Sequence, residues 1–269
     1  MKITLITGNS LRHFYFVDKI LKLNCDFSWI IENDENQIPK INIQDRYLKN
    51  LFNTHFEKRL ISEEKFFTNK AGEKAKSKIN SILNIHPSDL LTEKFKKFVK
   101  QEKSDILISY GCHFIPDSVL NIFKRYKWNI HGGLSPKYNG MATHFWPTYL
   151  LEPEYTGMTL HELSKNIDKG NIIHQSSANI NASDGLHDNA CRTVKNFSDS
   201  LPKLLKEKIG NNFKLKGIAQ KKIFQINWTK SMWNPHMLKV IYDLFEDKIN
   251  KYCLENREIK KPKLVTILK

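Results

Sequence analysis

The chain has 269 residues, of which 40% are hydrophobic and 26% charged, as in a soluble protein with one large domain or one domain and an appendage. Its longest apolar runs fall well short of the roughly 18 residues that a membrane-spanning helix needs, which argues against a membrane-embedded fold. The formal net charge of +15 favours anionic partners, although a solvated lysine-rich surface is the simpler interpretation of any single basic cluster.

The N-terminal segment predicts a parallel α/β sheet. A β-rich run at residues 3–7 ends at a Gly-Asn-Ser turn, and apolar residues then recur at helical spacing up to residue 21. A second β-rich run covers residues 26–31, which completes a strand-helix-strand unit. The first apolar run is too short for a signal-peptide core, so we expect a cytoplasmic protein. The 4 cysteines form no C-x-x-C pair, which predicts reduced thiols and no metal site.

The next part of the chain is less regular. Residues 40–84 are polar and weakly periodic, which predicts helical pieces in a long excursion from the sheet. Residues 87–101 have the pattern of one helix, with Ser88 as its N-cap and four apolar residues on its core face: Leu91, Phe95, Phe98 and Val99.

Two further strands are predicted at residues 105–110 and 127–131, separated by a helix at residues 116–125 that begins with a proline. The second strand runs into the sequence NIHGGLSPKYNG. This motif therefore lies at the carboxyl end of a strand, where open α/β sheets bind their ligands.

The remaining elements predict a change of architecture near residue 182. A helix, a strand and a turn followed by a strand are expected at residues 144–151, 156–163 and 168–175. Beyond them a helix, a strand and a helix are expected at residues 186–209, 221–228 and 235–254. We predict a Rossmann-like, mostly parallel α/β domain in residues 1–182. Residues 183–269 then form a smaller helix-strand-helix extension that is apolar enough to make a homodimer.

The central motif carries residues suited to attack on a carbonyl group. Residues two apart in a strand point to the same side, so Asn129 and His131 face one substrate. A histidine exchanges protons near neutral pH, and an amide N–H stabilises an oxygen that becomes negative. Asp168, in a turn before an apolar strand, could orient the histidine. The alternatives are a buried histidine satisfied by a carbonyl group and an ordinary Asp-x-Gly turn.

These segments together resemble the formyltransferases that use N10-formyltetrahydrofolate. The resemblance spans roughly residues 75–180 and includes DILISYGCHFIPDSVLNIFKRYKW ahead of the motif. Its pattern is Asn-x-His, a Leu-x-Pro loop with a following Gly, Thr-x-His and Asp-x-Gly-x-Ile. The matching positions are Asn129, His131, Leu134, Pro136, Gly140, Thr159, His161, Asp168, Gly170 and Ile172.

The resemblance implies a formyltransferase fold and roles for individual residues. The catalytic set would be Asn129, His131 and Asp168. The folate, as co-substrate and without a metal, would be bound by Tyr110, Gly111, Cys112 and Ile167. The chain departs from the family pattern at Gly133-Leu134-Ser135-Pro136, where Ser-Leu-Leu-Pro is frequent, and at Asn139, where an Arg is common.

Three formyl acceptors are compatible with the resemblance. Glycinamide ribonucleotide enzymes have a glycine-rich loop after the first strand, whereas this chain has a single glycine in GNSLRH. Methionyl-tRNA fits the charge, but the C-terminal part does not have the pattern of a many-stranded barrel, so nucleic acid is not expected. A nucleotide-linked amino sugar fits best, with dTDP-4-amino-4,6-dideoxyglucose for O-antigen synthesis as the specific hypothesis. A non-catalytic domain that binds a nucleotide or a partner protein is the alternative from another class.

Several residues are candidates for binding the sugar nucleotide. The turn after the first strand can place donors on a diphosphate, and two more candidates follow in the central loop. The set is Asn9, Ser10, Arg12, Lys137 and His144. Three tryptophans could stack on the base or pack inside the protein: Trp146, Trp228 and Trp233.

Overall fold

The computed structural model describes residues 1–33, 38–209, 215–221 and 226–268. The strands in these ranges are β1 (Lys2–Gly8), β2 (Asp26–Glu32), β3 (Ser81–Ile85), β4 (Ile106–Tyr110), β5 (Tyr126–His131), β6 (Tyr138–Gly140), β7 (Gly157–Glu162), β8 (Ile172–Ser177) and β9 (Ile226–Trp228). The α-helices are α1 (Leu11–Ile20), α2 (Arg46–Phe66), α3 (Ala71–Lys76), α4 (Glu93–Glu102), α5 (Asp117–Leu120), α6 (Phe145–Tyr149), α7 (Leu186–Ile209) and α8 (Ile249–Asn256).

The main sheet has the strand order β3-β2-β1-β4-β5-β7-β8. The strands from β3 to β5 are parallel, and β7 runs antiparallel to both β5 and β8. β6 and β9 form a separate parallel pair. The predicted mostly parallel α/β fold is confirmed, and its central strands are buried on both faces, as a parallel sheet covered by helices requires.

Helix α7 packs on the main sheet although it follows the predicted boundary at residue 182. Val194, Phe197 and Leu201 of α7 are buried in the same apolar cluster as Leu5 of β1 and Ile108 of β4. Pro202 lies inside this helix, which continues to Ile209. The apolar stripe of α7 therefore closes the core of the α/β sheet, while the division into two domains stays a prediction.

A second apolar cluster joins the polar excursion to the C-terminal part of the chain. Phe52 and Phe56 of α2 pack in it with Phe145 of α6 and with Leu238 and Ile241 near the C-terminus. The excursion also contains β3, an edge strand next to β2 that the weak pattern of residues 40–84 did not predict.

The helix predicted at residues 87–101 is wrong in its first half. Residues Pro87–Leu91 form a 3₁₀ turn, and α4 begins only after Thr92, whose hydroxyl accepts a hydrogen bond from the N–H of Phe95 at 3.3 Å. Thr92, and not Ser88, is therefore the cap of the α-helix. Leu91 precedes the cap and is 70% exposed, so it does not face the core.

Two other predicted helices are shorter or broken. The helix expected at residues 116–125 is α-helical only in Asp117–Leu120. The one expected at residues 235–254 divides into a 3₁₀ turn at Pro235–Met237, a π-helical turn at Val240–Leu244 and α8. The break has a tertiary cause, because Asp247 has a φ of 60° and accepts a hydrogen bond from the N–H of Leu186 at 2.9 Å. Of the predicted strand at 221–228, residues 226–228 form β9, and residues 222–225 lie outside the described ranges.

Two buried histidines between α2 and α7 make the fold sensitive to acid. His55 Nδ1 lies 2.9 Å from the Tyr242 hydroxyl and 3.3 Å from His187 Nε2. Burial lowers the pKa of His55 from 6.5 to about 3 and lowers the pKa of His187 well below 6.5. In the unfolded chain both rings regain ordinary pKa values, so below pH ~6.5 the unfolded state binds protons that the folded state rejects.

We therefore expect the free energy of unfolding to fall as the pH falls below ~6.5, with His55 alone contributing a loss of ~2 kcal/mol between pH 6.5 and 5. Urea denaturation at a series of pH values measures this slope. A His55→Gln variant should lose part of the slope, and the same change at the exposed His86 should not. Equal slopes in His55→Gln and the unaltered protein would contradict the prediction.

Candidate active site

The pairing of two strands brings together the motifs Asn-x-His and Thr-x-His. In the antiparallel register of β5 and β7, Asn129 lies opposite His161 and His131 lies opposite Thr159. Residues directly opposite on neighbouring strands are close enough for side-chain contact. The sequence supplied the signal for His161 in the motif TLHE, but nothing local indicated that it would face Asn129.

Asn129 is held by hydrogen bonds that fix the orientation of its amide. The Ser109 hydroxyl of β4 donates to Asn129 Oδ1 at 2.8 Å. Asn129 Nδ2 lies 3.2 Å from Nε2 of His161, whose Nδ1 donates to the Glu162 carbonyl at 2.8 Å. In the tautomer that carries its hydrogen on Nδ1, His161 accepts from Asn129 through Nε2. This bond uses one of the two amide hydrogens of Asn129 and leaves the other for a ligand.

His131 has an acceptor next to each ring nitrogen. Its Nε2 donates to the Tyr138 carbonyl at 2.8 Å, and its Nδ1 lies 3.4 Å from Asp168 Oδ2. Burial lowers the pKa of His131, whereas Asp168 and the Tyr138 carbonyl oppose that effect. The ring is thus buried, but its two neighbours would both stabilise the imidazolium form.

Asp168 is turned toward the two histidines by an unusual backbone conformation. Its φ is 53°, in the left-handed region that residues other than glycine rarely adopt. The carboxylate is 8% exposed, and its Oδ2 accepts a hydrogen bond from the N–H of Gly140 at 3.0 Å. Its Oδ1 lies 3.4 Å from Nε2 of His161. The structure therefore brings Asp168 to His131, which the sequence alone could not establish.

The carboxylate of Asp168 stays ionised despite its burial. Burial raises its pKa, but His131, His161 and the N–H of Gly140 together outweigh that effect and lower the pKa of Asp168 from 3.8 to about 2. A negative charge is thus fixed beside His131 throughout the neutral range. This charge can stabilise a proton on the imidazole or on a bound amine.

Gly140 can donate to Asp168 because it has no side chain. Its φ is 94°, and an added Cβ would lie 2.1 Å from the carbonyl oxygen of Trp228. Any other residue would force the loop away from β9. The last glycine of the central motif is therefore required by the contact that helps to hold Asp168.

The residues predicted to bind folate lie on two loops, one after β4 and one before Asp168. Tyr110, at the end of β4, is buried, and Gly111 follows it with a φ of 64°. Cys112 packs against the same apolar cluster as Leu163, in the loop before Asp168. Ile167 is 63% exposed. Tyr110 and Gly111 thus lie at the carboxyl end of β4. The second segment begins at Leu163, whose N–H donates to the Lys127 carbonyl at the start of β5, and it returns to the site at Asp168.

The candidates for acceptor binding after β1 also lie at this edge of the sheet. Asn9 is half-buried, and the Ser10 hydroxyl is 2.9 Å from His13 Nδ1. Arg12 makes an ion pair with Glu63 of α2, with Nη1 and Oε1 2.8 Å apart. Ser10 and Arg12 therefore need to change partners if they are to bind a diphosphate.

Lys137 and His144 are engaged with neighbouring residues as well. Lys137 pairs with Glu152 and lies 4.0 Å above the ring of Tyr155. His144 Nε2 donates to the Gly157 carbonyl at 3.0 Å. Burial, together with the charges of Arg12 and His131, lowers the pKa of His144 to about 4. His144 lies beside the central motif, because an added Cβ on Gly132 would be 3.2 Å from its ring.

Two of the tryptophans pack on each other. Trp146 and Trp228 are buried and stack with ring centroids 4.1 Å apart, so they serve the interior of the protein and not a nucleotide base. Trp233 contacts Phe52 and His55 in the second apolar cluster. Asn139, where the family commonly has an Arg, is fully buried and donates to Gln220 Oε1 at 3.4 Å.

Within the described parts of the chain, no group of three or more His, Cys, Asp and Glu side chains is arranged to hold a metal ion. In the same ranges, no helix has both the length and the apolar character needed to cross a membrane.

Comparison with protein families and curated proteins gives a consistent picture. A family model described as "Formyl transferase" matches residues 64–205. The bifunctional polymyxin resistance protein ArnA of Wigglesworthia glossinidia brevipalpis is 32% identical over 153 residues, which are 55% of this chain and 23% of that protein. The methionyl-tRNA formyltransferase of Buchnera aphidicola is 28% identical over 134 residues, 49% of this chain and 42% of that protein. The chain thus aligns with less than half the length of these curated relatives.

Solved structures share the fold at lower identity. A sugar N-formyltransferase from Shewanella sp. FDAARGOS_354 has a TM-score of 0.55 at 18% identity, with 86% of this chain and 78% of that chain covered. The sugar 3N-formyltransferase WlaRD, solved with dTDP and 5-N-formyl-THF, has a TM-score of 0.52 at 21% identity, with 87% and 71% covered. The phosphoribosylglycinamide formyltransferase of Anaplasma phagocytophilum has a TM-score of 0.58 at 14% identity, with 86% and 98% covered.

Proposed function

The chain belongs to the formyl transferase family, and from this premise we propose that it transfers a formyl group from N10-formyltetrahydrofolate to the amine of a nucleotide-linked amino sugar. The observation that carries the proposal is the convergence of Asn129, His131 and Asp168 at one end of the sheet. His161 joins them, because its Nε2 lies 3.2 Å from the Asn129 amide and 3.4 Å from Asp168 Oδ1, while Asp168 Oδ2 lies 3.4 Å from His131 Nδ1.

Asn129 and His131 stabilise the charge that develops during the transfer. As the neutral amine attacks the formyl carbon, the formyl oxygen becomes an oxyanion. The free N–H of Asn129 and a protonated His131 donate to this oxygen. The His131 ring gives up one of its two present contacts to do so. Its contact with Asp168 is the looser one, at 3.4 Å against 2.8 Å to the Tyr138 carbonyl.

Asp168 is placed to take part in the proton transfer that the reaction requires. The attacking nitrogen loses one proton when the new carbon–nitrogen bond forms, and N10 gains one proton when its bond to the formyl carbon breaks. The ionised carboxylate of Asp168 can accept the first proton and supply the second. Its low pKa makes it a weak base, so its main effects are to oppose the lowering of the His131 pKa by burial and to orient the amine. Holding both substrates in line supplies much of the remaining acceleration.

The two loops at the β4 and Asp168 edges are suited to the formyl donor. Leu163 and Cys112 pack against one apolar cluster, and the loop after Leu163 returns to the site at Asp168. Phe114 and Ile167 are 57% and 63% exposed on these loops and offer apolar surface to a flat ring. Gly111, at its positive φ, lets the loop pack on the His13 ring, because an added Cβ would lie 2.2 Å from His13 Nε2. When bound there, the folate supplies the activated formyl group.

The acceptor is proposed from this chain's own residues. The turn after β1 has one glycine, unlike the glycine-rich turn of glycinamide ribonucleotide enzymes, and it carries Ser10 and Arg12 as donors for a diphosphate. The fold is shared with WlaRD, which was solved with dTDP and 5-N-formyl-THF. Within this class, dTDP-4-amino-4,6-dideoxyglucose and a role in O-antigen synthesis are our specific hypotheses. A cytoplasmic location and a homodimer stay predictions from the sequence.

A formylation assay against a panel of acceptors tests the proposal. The purified protein, with N10-formyltetrahydrofolate, is offered dTDP- and UDP-linked amino sugars, glycinamide ribonucleotide and charged initiator tRNA. We expect mass spectrometry to detect the addition of one formyl group to an amino sugar and to neither of the other acceptors. The control reaction uses the Asn129→Ala variant with the same acceptors.

The other results separate the alternatives. Formylation of the ribonucleotide or the tRNA would retain the catalytic proposal and overturn the acceptor. If folate binds but no acceptor of the panel is formylated, the proposed acceptors are wrong, and an untested amine or a non-catalytic role takes their place.

A further inference from the structure

Two segments outside the family match reach the candidate active site. Gln220, in the described segment 215–221, donates through Nε2 to the carbonyl oxygen of Asp168 at 2.6 Å and to that of Gly170 at 2.9 Å. Its Oε1 accepts from Asn139 at 3.4 Å. One amide side chain thus bridges the turn that carries Asp168 and the loop that precedes Gly140.

β9 holds the other side of the same loop. Its residue Trp228 pairs with Gly140 in a parallel register and accepts a hydrogen bond from the N–H of Met141 at 2.8 Å. The N–H of Gly140 then donates to Asp168 Oδ2. The backbone of Asp168 is therefore fixed by Gln220, and one carboxylate partner of Asp168 is fixed by Trp228.

The segment that carries Gln220 is itself anchored beside the site. Ile218 exchanges two backbone hydrogen bonds with Ile172, the first residue of β8. The N–H of Gly217 donates to Glu162 Oε1 at 3.0 Å, at the end of β7. Gln220 is therefore presented to the Asp168 turn from a supported backbone and is not the tip of a free loop.

The backbone conformation of Asp168, which Gln220 holds, is one that needs support from surrounding contacts. A residue with a side chain at a φ of 53° is under backbone strain unless its surroundings maintain it. The two hydrogen bonds from Gln220 Nε2 to the carbonyl oxygens of Asp168 and Gly170 provide such support. If the turn relaxed, the carboxylate would swing away from His131 and His161.

We propose that Gln220 is a positioning residue that holds Asp168 in its left-handed conformation, so that residues beyond the family match complete the active site. This role rests on the proposed function for its effect on rate, but the orientation of Asp168 toward His131 can be measured without any substrate.

The test compares Gln220→Leu and Gln220→Glu with the unaltered protein. Leucine removes the donor, and glutamate keeps the size but places an acceptor against two carbonyl oxygens. We expect kcat for formyl transfer to fall about 10- to 100-fold in both variants, with KM for both substrates changed less than threefold. Side-chain NMR should show His131 titrating at a lower pH, because the displaced carboxylate no longer stabilises its charged form.

Gln44→Leu is the matched control. It makes the same substitution at an exposed amide, whose Nε2 donates to Asn42 Oδ1 at 3.2 Å in the segment before α2. It should leave the titration of His131 and kcat unchanged. His144, which donates to the Gly157 carbonyl and is affected by the charge of His131, gives a signal that shows whether a change extends beyond the Asp168 contact.

The NMR and rate measurements test different proposals, so their results can be distinguished. An unchanged His131 titration in both folded Gln220 variants would overturn the positioning role, whatever the activity. A shifted titration in a protein that formylates nothing would support the positioning role and count against the proposed function. If Gln220→Leu does not fold, Gln220→Glu and Gln220→Asn carry the comparison.

Discussion

Replacing His131 by alanine should lower kcat by about 10³-fold, because the variant loses a charged donor to the oxyanion in a buried site. KM should change little, since His131 acts on the charge that develops during the reaction and not on the bound substrates. Single-turnover formylation measures the effect on the chemical step directly.

The comparison needs a histidine with no part in the site. His236 is exposed near the C-terminus, and His236→Ala should retain full activity. The kcat of the Asn129→Ala variant should be lower by about 10²- to 10³-fold, because the substitution removes the second donor to the same oxygen. A His131→Ala enzyme within tenfold of the unaltered protein would contradict the proposed role of this residue.

The placement of Asn129 and His131 on one side of a strand could be predicted because it depends only on local geometry. Asn129 and His131 are two residues apart in one strand, and a strand's alternation places them on one side whatever the rest of the fold does. The strand end was predictable from the Gly-rich segment that follows. The resemblance of these segments to the formyltransferases is confirmed by the match over residues 64–205.

The contact of Asp168 with His131 could not be read from the chain. It depends on the antiparallel return of β7, on the turn that follows it, and on a positive φ at an aspartate. Gln220 had no local signal at all, because it acts from a segment without regular structure about 50 residues beyond Asp168. Tertiary context sets these features.

The errors in secondary structure have the same origin. Leu91 fits a helical period, but the hydroxyl of Thr92 caps a new helix and turns Leu91 outward. The turn at Asp247 interrupts an amphipathic pattern because its carboxylate is used to hold the start of α7. In both cases a single polar contact determined where the helix begins or ends, which the apolar periodicity could not predict.

Asp168→Asn should lower kcat by about 10³-fold or more and should also change the pH dependence of the reaction. With the carboxylate removed, His131 loses the negative charge that raises its pKa against the effect of burial. A smaller fraction of His131 is then protonated at neutral pH. The remaining activity should therefore rise as the pH is lowered toward the depressed pKa of His131, whereas Asp168 in the unaltered protein stays ionised across that range.

The matched control is Asp18→Asn, because Asp18 is also 8% exposed but lies in α1 and pairs with Lys74. It should keep both the rate and the pH profile.

The pH profile also separates the two tasks assigned to Asp168. A large fall in kcat with an unchanged profile would mean that the carboxylate serves the amine's proton and not the charge of His131. A fall with the profile moved to lower pH would mean that its main task is to keep His131 protonated. An Asp168→Asn enzyme within tenfold of the unaltered protein would exclude both, and the acidic turn would then be structural.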